Sequence, residues 1–386
     1  MKIVALKEKA AYEMRTAITP EVAGLLVKKG FSVVVEKDIG LNAGFVNEEY
    51  TAVGAKISAI PLEIISDADI ILKVQPSPVT DKYSELEFAK AGAVVIGLLS
   101  PYLNHEYIKA VAKKNLTTFA MELVPRITKA QNMDALSSQS NLVGYRAVIE
   151  ASYHYTKALP MMMTAAGTVS PAKTLVLGIG VAGLQAIATA KRLGSIVAGY
   201  DVRSATKEQV ESLGAKFISS ELQQDLQDKS GYAQESSEDQ KAKQEEFLAK
   251  IIKNYDIVIT TAQIPGKKAP VLVTDEMLSS MKHGSVIIDI ATATGGNVEG
   301  SEIDKIVTKH GITIIGLSNL AAKIATDSSK LYSKNLYNFL NYALQDGKFN
   351  MDDDLVQSML ITRDGKVVNE NFVIASDHRE RGNPEK

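Results

Sequence analysis

The residues with the clearest chemical meaning form a glycine-rich turn, Gly178-Ile179-Gly180-Val181-Ala182-Gly183, which directly follows the apolar run Thr174–Leu177. The run predicts a buried strand, and Val181–Leu193 has the spacing of a helix. In such a strand–turn–helix, the first glycine permits the tight turn, the second lets backbone approach a pyrophosphate, and the third lets helix meet strand. The free N–H groups at the helix start favour phosphate. The pattern predicts a dinucleotide site, and a purely structural turn is the alternative.

An acidic residue stands where this site needs one. Asp201 ends the next predicted strand and is followed by Val202 and Arg203. The Asp201 carboxylate can accept hydrogen bonds from ribose hydroxyls and would repel a 2′-phosphate, so NAD(H) is favoured over NADP(H). Two interpretations of Arg203 stay open, because it can form a surface salt bridge or accept that phosphate.

A second group of polar residues precedes a long predicted helix. It offers a cation, an amide, a carboxylate and two hydroxyls: Arg126, Gln131, Asp134, Ser137 and Ser138. If these side chains face one cleft, they could hold the carboxamide, ribose or pyrophosphate of a nicotinamide dinucleotide. The alternative is a capped helix start, in which Asp134 and Ser137 are capping groups and Arg126 pairs with Asp134.

Two loops after predicted strands complete the set of candidate regions. Residues 261–266 follow the strand predicted from Ile257, and residues 291–297 follow the strand predicted at Ser285–Ile290. Ligands of α/β sheets bind beyond the carboxyl ends of the strands, and the glycines of the second loop permit close approach of a nicotinamide ring. Gln263, in the first loop, is assigned to cofactor contact. Ordinary turn chemistry is the alternative for both loops.

Composition restricts the class of protein. Of the 386 residues, 45% are apolar and 23% are charged, and the net charge is -2, which is typical of a globular protein without a basic surface for nucleic acid. The absence of cysteine excludes disulfides and thiolate metal sites, and the five histidines show no metal-ligand spacing. No apolar run is long enough to span a bilayer, so no direct membrane insertion is expected.

Alternating strand and helix patterns predict an α/β fold with two doubly wound, Rossmann-like domains and mostly parallel sheets. We expect long interdomain helices at 133–158 and about 330–344. The first domain is predicted to be discontinuous, with residues 1–135 plus 325–386, and the NAD(H)-binding domain spans 136–324.

One polar segment interrupts the second series of strands and helices. Residues 219–249 are rich in Gln, Glu, Asp, Lys and Ser, with Gly231 and Tyr232 inside. A long polar insertion in a compact α/β domain is either a functional loop or disorder. We expect a mobile loop that becomes more ordered when nucleotide binds.

Several of these blocks together resemble the alanine dehydrogenase/transhydrogenase family over roughly residues 1–370. They are Arg15–Pro20, residues 125–138, Gly178–Gly183, Tyr200–Arg203 and Ile264–Lys267. The resemblance implies that Arg126, Asp134 and Ser137 hold NAD(H). It also implies that Gln131 reaches toward an NADP(H)-binding partner, and that Tyr232 lies at the tip of a mobile loop that closes over the nucleotide. At Gln263 the chain departs from the family, where leucine is usual.

The two branches of the family differ in their catalytic groups. Alanine dehydrogenases share Arg15 and Lys73, where the resemblance implies substrate contacts, but they also use a histidine near Leu98–Pro101 and an acid at the position of Ala293. An amino-acid dehydrogenase needs a group to manage the substrate proton, whereas direct hydride transfer between two nicotinamides needs only positioning. The transhydrogenase branch is favoured. NAD-dependent L-alanine dehydrogenase and a non-catalytic NAD(H)-binding module are the alternatives.

The resemblance to that branch implies a set of partners and a location. This chain would bind NAD(H), and NADP(H) would bind to a partner subunit, with Arg126, Gln131 and Asp134 as the catalytic set. Membrane-spanning partner subunits would couple hydride transfer to proton translocation. The chain would form a homodimer and lie, as a cytoplasmic and peripheral subunit, on the cytoplasmic face of the inner membrane.

Overall fold

Two mostly parallel β-sheets organise the chain, one in each of two structural units. The computed structural model describes residues 1–219, 238–264 and 266–369. Unit 1 comprises residues 1–139 and the described residues from 322 onward, and unit 2 comprises the described residues of 140–321. The first boundary lies inside one long helix.

Strands and helices alternate along most of the chain. The first elements are β1 (Lys2–Ala5), α1 (Pro20–Lys28), β2 (Ser32–Glu36), α2 (Asn47–Ala52), β3 (Lys56–Ser58), α3 (Pro61–Ile65), β4 (Ile70–Leu72), α4 (Glu85–Phe88), β5 (Val94–Gly97), α5 (His105–Lys113), β6 (Thr117–Ala120) and α6 (Ala135–His154). Unit 2 continues with β7 (Met162–Thr164), β8 (Gly167–Val169), β9 (Lys173–Leu177), α7 (Val181–Arg192), β10 (Ile196–Tyr200), α8 (Lys207–Ser212), β11 (Lys216–Phe217), α9 (Glu238–Ile252), β12 (Ile257–Thr260), α10 (Asp275–Ser280), β13 (Val286–Asp289), β14 (Ile306–Lys309) and β15 (Ile312–Ile315). The chain then returns to unit 1 with α11 (Ala325–Ala343), β16 (Leu344–Gln345), β17 (Lys348–Phe349), α12 (Asp354–Met359), β18 (Leu360–Arg363) and β19 (Lys366–Val367).

Both sheets follow the doubly wound plan. The order in unit 1 is β19-β18-β6-β5-β4-β1-β2-β3, and the order in unit 2 is β11-β10-β9-β12-β13-β15-β14. The pairs are parallel except where β18 meets β6 and β19 and where β14 meets β15. The strand order reverses beside β1 in unit 1 and beside β9 in unit 2, and ligands of such sheets bind at these switch points. The predicted fold class is therefore confirmed.

The central strands are apolar on both faces because helices cover both sides of a parallel sheet. Ile3, Val4 and Ala5 of β1 have no solvent exposure, and Val258 and Ile259 of β12 are equally buried. This explains why the strands appear in the sequence as continuous apolar runs without polar alternation. It also fixes the carboxyl ends of the strands as the place where side chains of another kind can begin.

The C-terminal elements complete unit 1. Tyr332 and Phe339 of α11 are fully buried. The hydroxyls of Ser329 and Ser333 accept hydrogen bonds from the backbone N–H groups of Thr16 and Thr19, at 3.0 and 3.1 Å. The first segment of unit 1 therefore depends on a helix that lies more than 300 residues later in the chain. In the part of the chain that the structure describes, no helix has the length and apolar content to cross a membrane.

The structure differs from the predicted loop over 219–249 from residue 238 onward. Residues 220–237, with Tyr232, lie outside the described residues. From Glu238 onward the chain forms α9, in which Leu248 and Ile252 are buried. The apolar residues of this helix recur at helical spacing near its end and anchor it to unit 2, which the polar composition of the segment obscured.

Candidate functional site

The glycine-rich turn of unit 2 has the geometry that its sequence predicts. Gly178 follows β9 with a φ of +95°, and the hydroxyl of Thr261 donates to its carbonyl oxygen at 2.8 Å. A Cβ on Gly183 would lie 2.0 Å from the Gly178 carbonyl oxygen. A side chain at Gly183 would force helix α7 away from the turn, and a Cβ on Gly178 would lie 2.7 Å from the Thr261 hydroxyl, so these two glycines fix the turn.

The middle glycine of the turn faces open space. Among the residues that the structure describes, a Cβ on Gly180 would meet no atom within 4 Å, and no side chain caps α7 at this residue. Val181 and Ala182, in the first turn of α7, are half-buried. The N–H groups at the start of a 12-residue helix are therefore left to an outside acceptor. The local geometry fits a pyrophosphate.

Asp201 lies beside this turn at the end of β10. Asp201 is 5% exposed, and its Oδ2 accepts a hydrogen bond from the Ile179 N–H at 2.6 Å. The carboxylate thus belongs to the same hydrogen-bonded unit as the glycine turn. This is the position expected for a group that binds the adenosine ribose of NAD(H).

Arg203 forms a two-pronged ion pair with Asp201. Its Nε and Nη2 donate to the two carboxylate oxygens at 2.8 and 2.7 Å, and Nη2 also donates to the Ile179 carbonyl oxygen at 3.0 Å. The backbone N–H of Arg203 adds a bond to Oδ1 at 2.9 Å. Val202, between the two, is half-buried. The salt-bridge interpretation of Arg203 therefore describes this structure.

The loops after β12 and β13 are bonded to each other. Gln263 is exposed, and its Nε2 donates to the Ile290 carbonyl oxygen at 3.3 Å. Asn297 is fully buried and bonds to Ala262 through both side-chain atoms. Both loops were expected from the sequence, but the role of Asn297 was missed. Its type and place after two glycines gave a turn signal without indicating a buried contact.

Within unit 1, the structure brings Asp134, Ser137 and Ser138 together at the start of α6. Oδ1 of Asp134 accepts from the Ser137 N–H at 2.8 Å, and Oδ2 accepts from the Ser137 hydroxyl at 2.6 Å. The Ser138 hydroxyl donates to the Asn335 side-chain oxygen at 2.7 Å. The capping interpretation of Asp134 and Ser137 is therefore correct for this structure, and it leaves their half-buried oxygens at a helix start.

Arg126 and Gln131 lie on the surface of the same segment. Both side chains are exposed, and Gln131 belongs to a 3-10 helix at Thr128–Met133. Their proposed contacts with nucleotide or partner remain predictions, and so do the roles of the other candidate residues. The role of Tyr232 falls outside the described residues.

Unit 1 buries a cluster of charges at its own switch point. Lys73 directly follows β4 and is 1% exposed, and its Nζ lies 2.9 Å from the Ser77 hydroxyl, 3.8 Å from Glu8 and 4.0 Å from Glu85. The Glu8 carboxylate accepts from the N–H groups of Val74 and Gln75. Burial raises the pKa of Glu8 against the opposing effect of Lys73. Burial alone would lower the pKa of Lys73, but Glu8 and Glu85 raise it overall.

Two further titratable groups of unit 1 bond within the protein: Arg15, which is buried, and Glu122, which is half-buried. Arg15 forms a two-pronged pair with Glu13 at 2.8 and 2.7 Å and donates to Gln139 at 2.8 Å. Burial raises the pKa of Glu122 to about 7, although the backbone N–H groups of Leu99 and Ser100 donate to its carboxylate. The cations implied as substrate contacts in alanine dehydrogenases are thus bonded to protein side chains here.

Comparison with known proteins finds relatives over nearly the whole chain. Residues 4–143 match the family described as Alanine dehydrogenase/PNT, N-terminal domain, and residues 147–370 match Alanine dehydrogenase/PNT, C-terminal domain. The first part of NAD(P) transhydrogenase subunit alpha from Rickettsia prowazekii (strain Madrid E) is 83% identical over 369 residues, which cover 96% of each chain. The corresponding polypeptide from Rhodospirillum rubrum, which carries the same name, is 49% identical over 95% of this chain and 98% of its own. The crystal structure of transhydrogenase from Sinorhizobium meliloti superposes with a TM-score of 0.86 at 48% identity, covering 95% of this chain and 100% of that chain.

Proposed function

The chain belongs to the alanine dehydrogenase/PNT family, and from this premise we propose that it is the NAD(H)-binding subunit of a proton-translocating NAD(P) transhydrogenase. The proposed reaction transfers a hydride directly between NADH on this chain and NADP⁺ on a partner subunit, and it is coupled to proton translocation. The observation that carries the proposal is the open, uncapped start of α7 at Gly180, beside Asp201, in a chain whose near relatives are transhydrogenase subunits.

Unit 2 supplies the residues for nucleotide binding. The N–H groups at the start of α7, around Val181 and Ala182, would bind the pyrophosphate, because the helix start is uncapped and carries a partial positive charge. Asp201 would accept the ribose hydroxyls of the adenosine half. The chain approaches the phosphates with backbone alone at Gly180, which brings donors close without a side chain between them.

The ion pair between Asp201 and Arg203 supports selection of NAD(H). A carboxylate accepts about four hydrogen bonds, and Asp201 already accepts one from Ile179 and three from Arg203. Ribose hydroxyls would therefore replace one bond of the Arg203 guanidinium and leave the pair otherwise intact. Arg203 stays directed at Asp201 and is not offered to a 2′-phosphate, which the carboxylate would repel.

Direct hydride transfer requires that the chain orient the two nicotinamide rings, and it requires no acid or base to move a proton. When bound, the nicotinamide ring supplies or accepts the hydride. We assign Arg126 and Asp134 to contact with the nucleotide and Gln131 to the approach of the partner, as the resemblance implies. Gln131 is exposed and uncharged, which suits a surface contact better than a buried nucleotide contact.

L-alanine dehydrogenase is the weaker alternative. Arg15 and Lys73 are buried and bonded to Glu13, Ser77 and nearby carboxylates. Ala293 stands at the position where the resemblance places the acid of alanine dehydrogenases. The purified chain should not oxidise L-alanine with NAD⁺ above background. Turnover on the order of 1 s⁻¹, within the usual range of enzymes, would establish the alternative.

The partner subunits follow from the proposed reaction. NADP(H) would be bound by one partner, and membrane-spanning partners would carry the proton. The chain would then be a peripheral subunit at the cytoplasmic face of the inner membrane. Its binding to membranes should therefore require those subunits, which flotation with and without them would measure.

An exposed apolar hairpin supports a homodimer. Met162 and Met163 of β7 and Val169 of β8 are 43, 78 and 37% exposed, and no charged residue lies between 161 and 169. Continuous apolar surface of this kind marks an interface, and we propose that a second copy of the chain covers it. Met163→Lys should yield monomers by light scattering, whereas Met14→Lys, at an exposed site of unit 1, should not. A dimeric Met163→Lys variant would argue against this interface.

Single-turnover hydride transfer tests the proposed function. Transfer from NADH to an NADP⁺ analogue should occur after the chain is mixed with a transhydrogenase NADP(H)-binding domain and should be absent with the chain alone. Gln131→Ala should lower the transfer rate and leave NADH affinity nearly intact, a pattern that separates positioning from uniform binding. Asn132→Ala, at the neighbouring exposed residue, is the control. Transfer by the isolated chain, or no transfer in the mixture, would overturn the proposal.

A further inference from the structure

A buried asparagine joins the two loops at the carboxyl edge of unit 2. The Nδ2 of Asn297 donates to the carbonyl oxygens of Ala262 and Pro270, at 2.9 and 2.7 Å, and its Oδ1 accepts from the Ala262 N–H at 3.1 Å. Its own carbonyl oxygen accepts from Leu272 and Val273. One fully buried side chain thus holds both ends of the loop that follows β12.

A buried carboxylate fixes the second loop around the same point. Asp289, at the end of β13, is fully buried, and its Oδ1 accepts from the Ala291 N–H at 3.0 Å. Its Oδ2 accepts from the N–H groups of Asn297 and Val298, at 2.9 and 3.2 Å. The carboxylate therefore closes the loop after β13 and places Asn297 against the loop after β12.

The same network reaches the glycine turn. Thr261 precedes Ala262 and donates to the Gly178 carbonyl oxygen. Asp289, Asn297 and Thr261 thus connect the loops that follow β13, β12 and β9, which are adjacent in the sheet. Hydrogen bonds therefore join the three loops along one edge of the sheet.

The sheet order gives this edge a direction. Asp201 follows β10, on one side of β9, while β12 and β13 lie on the other side. A dinucleotide whose pyrophosphate meets the turn after β9 and whose adenosine ribose meets Asp201 must extend its other half toward β12 and β13. The loops joined by Asn297 follow β12 and β13 and therefore lie on that side of β9.

We propose that Asn297 is a positioning residue for the nicotinamide half of bound NAD(H), with Asp289 as its anchor; the inference rests on the proposed function. Loops that are already bonded into place need not be ordered when the ligand binds. If the Asn297 bonds are removed, NADH must itself order the loop that carries Gln263. A ligand that lacks the nicotinamide half does not reach that loop and does not carry this cost.

The test compares two ligands on the full chain by calorimetric titration. Asn297→Ala should weaken NADH binding by roughly tenfold, because loop ordering now opposes binding, and should leave ADP binding within about twofold of wild type. Ser195→Ala is the matched control. It removes a buried hydroxyl that bonds to Ala172 and Thr174 at the opposite edge of the same sheet, and it should change neither affinity even if it lowers the melting temperature.

The possible results separate the inference from the proposed function. Equal losses for NADH and ADP, or no loss for either, would show that Asn297 is only structural. If Asn297→Ala does not fold, Asn297→Ser is measured; it keeps one polar atom toward Ala262 and should show a smaller loss confined to NADH. A wild-type chain that binds ADP but gains nothing from the nicotinamide half would also overturn the inference. A wild-type chain that binds neither ligand would overturn the proposed function as well.

Discussion

The switch points of the two sheets are built in opposite ways. In unit 2 the residues after β9 are glycines, and the carboxyl edge presents backbone N–H groups and open space. In unit 1 the residues after β1 and β4 are Glu8 and Lys73, whose buried side chains fill the edge with bonded charges. The sheet topology is shared, so topology alone does not create a nucleotide site. What decides the function is whether side chains leave the edge open.

The largest expected effect is on stability, at the carboxyl edge of the unit 1 sheet, which buried charges close. Lys73→Met should lower the free energy of unfolding by about 3–5 kcal/mol, because it leaves Glu8 and Glu85 buried without their cation. NADH affinity should stay near that of wild type, measured below the unfolding transition. Lys90→Met, which removes a half-exposed ion pair with Asp69, is the control and should cost less than about 1 kcal/mol. Loss of NADH binding by folded Lys73→Met would contradict the comparison, because it would show that the unit 1 edge also takes part in nucleotide binding.

The pH dependence of stability tests a second carboxylate of unit 1, Glu122. Its pKa is about 7 in the folded chain, whereas an unfolded glutamate releases its proton near pH 4.3. The folded state therefore binds the extra proton between these values, and stability falls as pH rises through that window, by about 3–4 kcal/mol in total.

Glu122→Gln should remove this part of the pH dependence. Urea unfolding at pH 5 and pH 8 should show a smaller decrease for the variant than for wild type. Tyr332, which faces Glu122 in the fold, stays protonated over this range and adds no titration of its own. Parallel pH dependences of the two proteins would show that Glu122 ionises normally.

The smallest expected effect is on nucleotide binding, at the carboxyl edge of the unit 2 sheet, which side chains leave open. Asp201→Ala should weaken NADH binding by roughly 1–3 kcal/mol, because the ribose hydroxyls lose their acceptor. It should also release Arg203 and narrow the preference for NADH over NADPH. Calorimetric titration with both nucleotides measures this, and Asp256→Ala, at the opposite edge of the sheet, is the control. Equal affinity of the wild-type chain for NADH and NADPH would contradict the role of Asp201.

Local sequence predicted the open edge far better than the closed one. The glycine turn and Asp201 are close in sequence and need only a strand and a helix to meet, so type and spacing were sufficient. Asn297 was missed because its partners, Ala262 and Pro270, are about thirty residues away and depend on the register of two parallel strands. The hairpin β7–β8 was missed because its exposed residues lack an alternating pattern.

The burial of each element also decides how well the sequence predicted it. Continuous apolar runs predicted the central strands, since both faces are covered. The edge strand β19 and its neighbour β18 gave no such signal, because both are short and Arg363 and Lys366 are exposed. For residues 238–249, polar composition suggested a loop, although Leu248 and Ile252 are enough to bury one face of α9.

The division of unit 1 into two distant stretches has a consequence for the order of folding during synthesis. Unit 2 is encoded by one continuous stretch and can complete its sheet as soon as β15 has left the ribosome. The sheet of unit 1 cannot close until β18 arrives to pair with β6, through contacts such as that between the hydroxyls of Thr118 and Thr362 at 2.8 Å. Domains generally fold as units in the order of synthesis. In this chain the synthesis of unit 1 begins first and its sheet is completed last, so β6 stays an unpaired edge strand until β18 is synthesised.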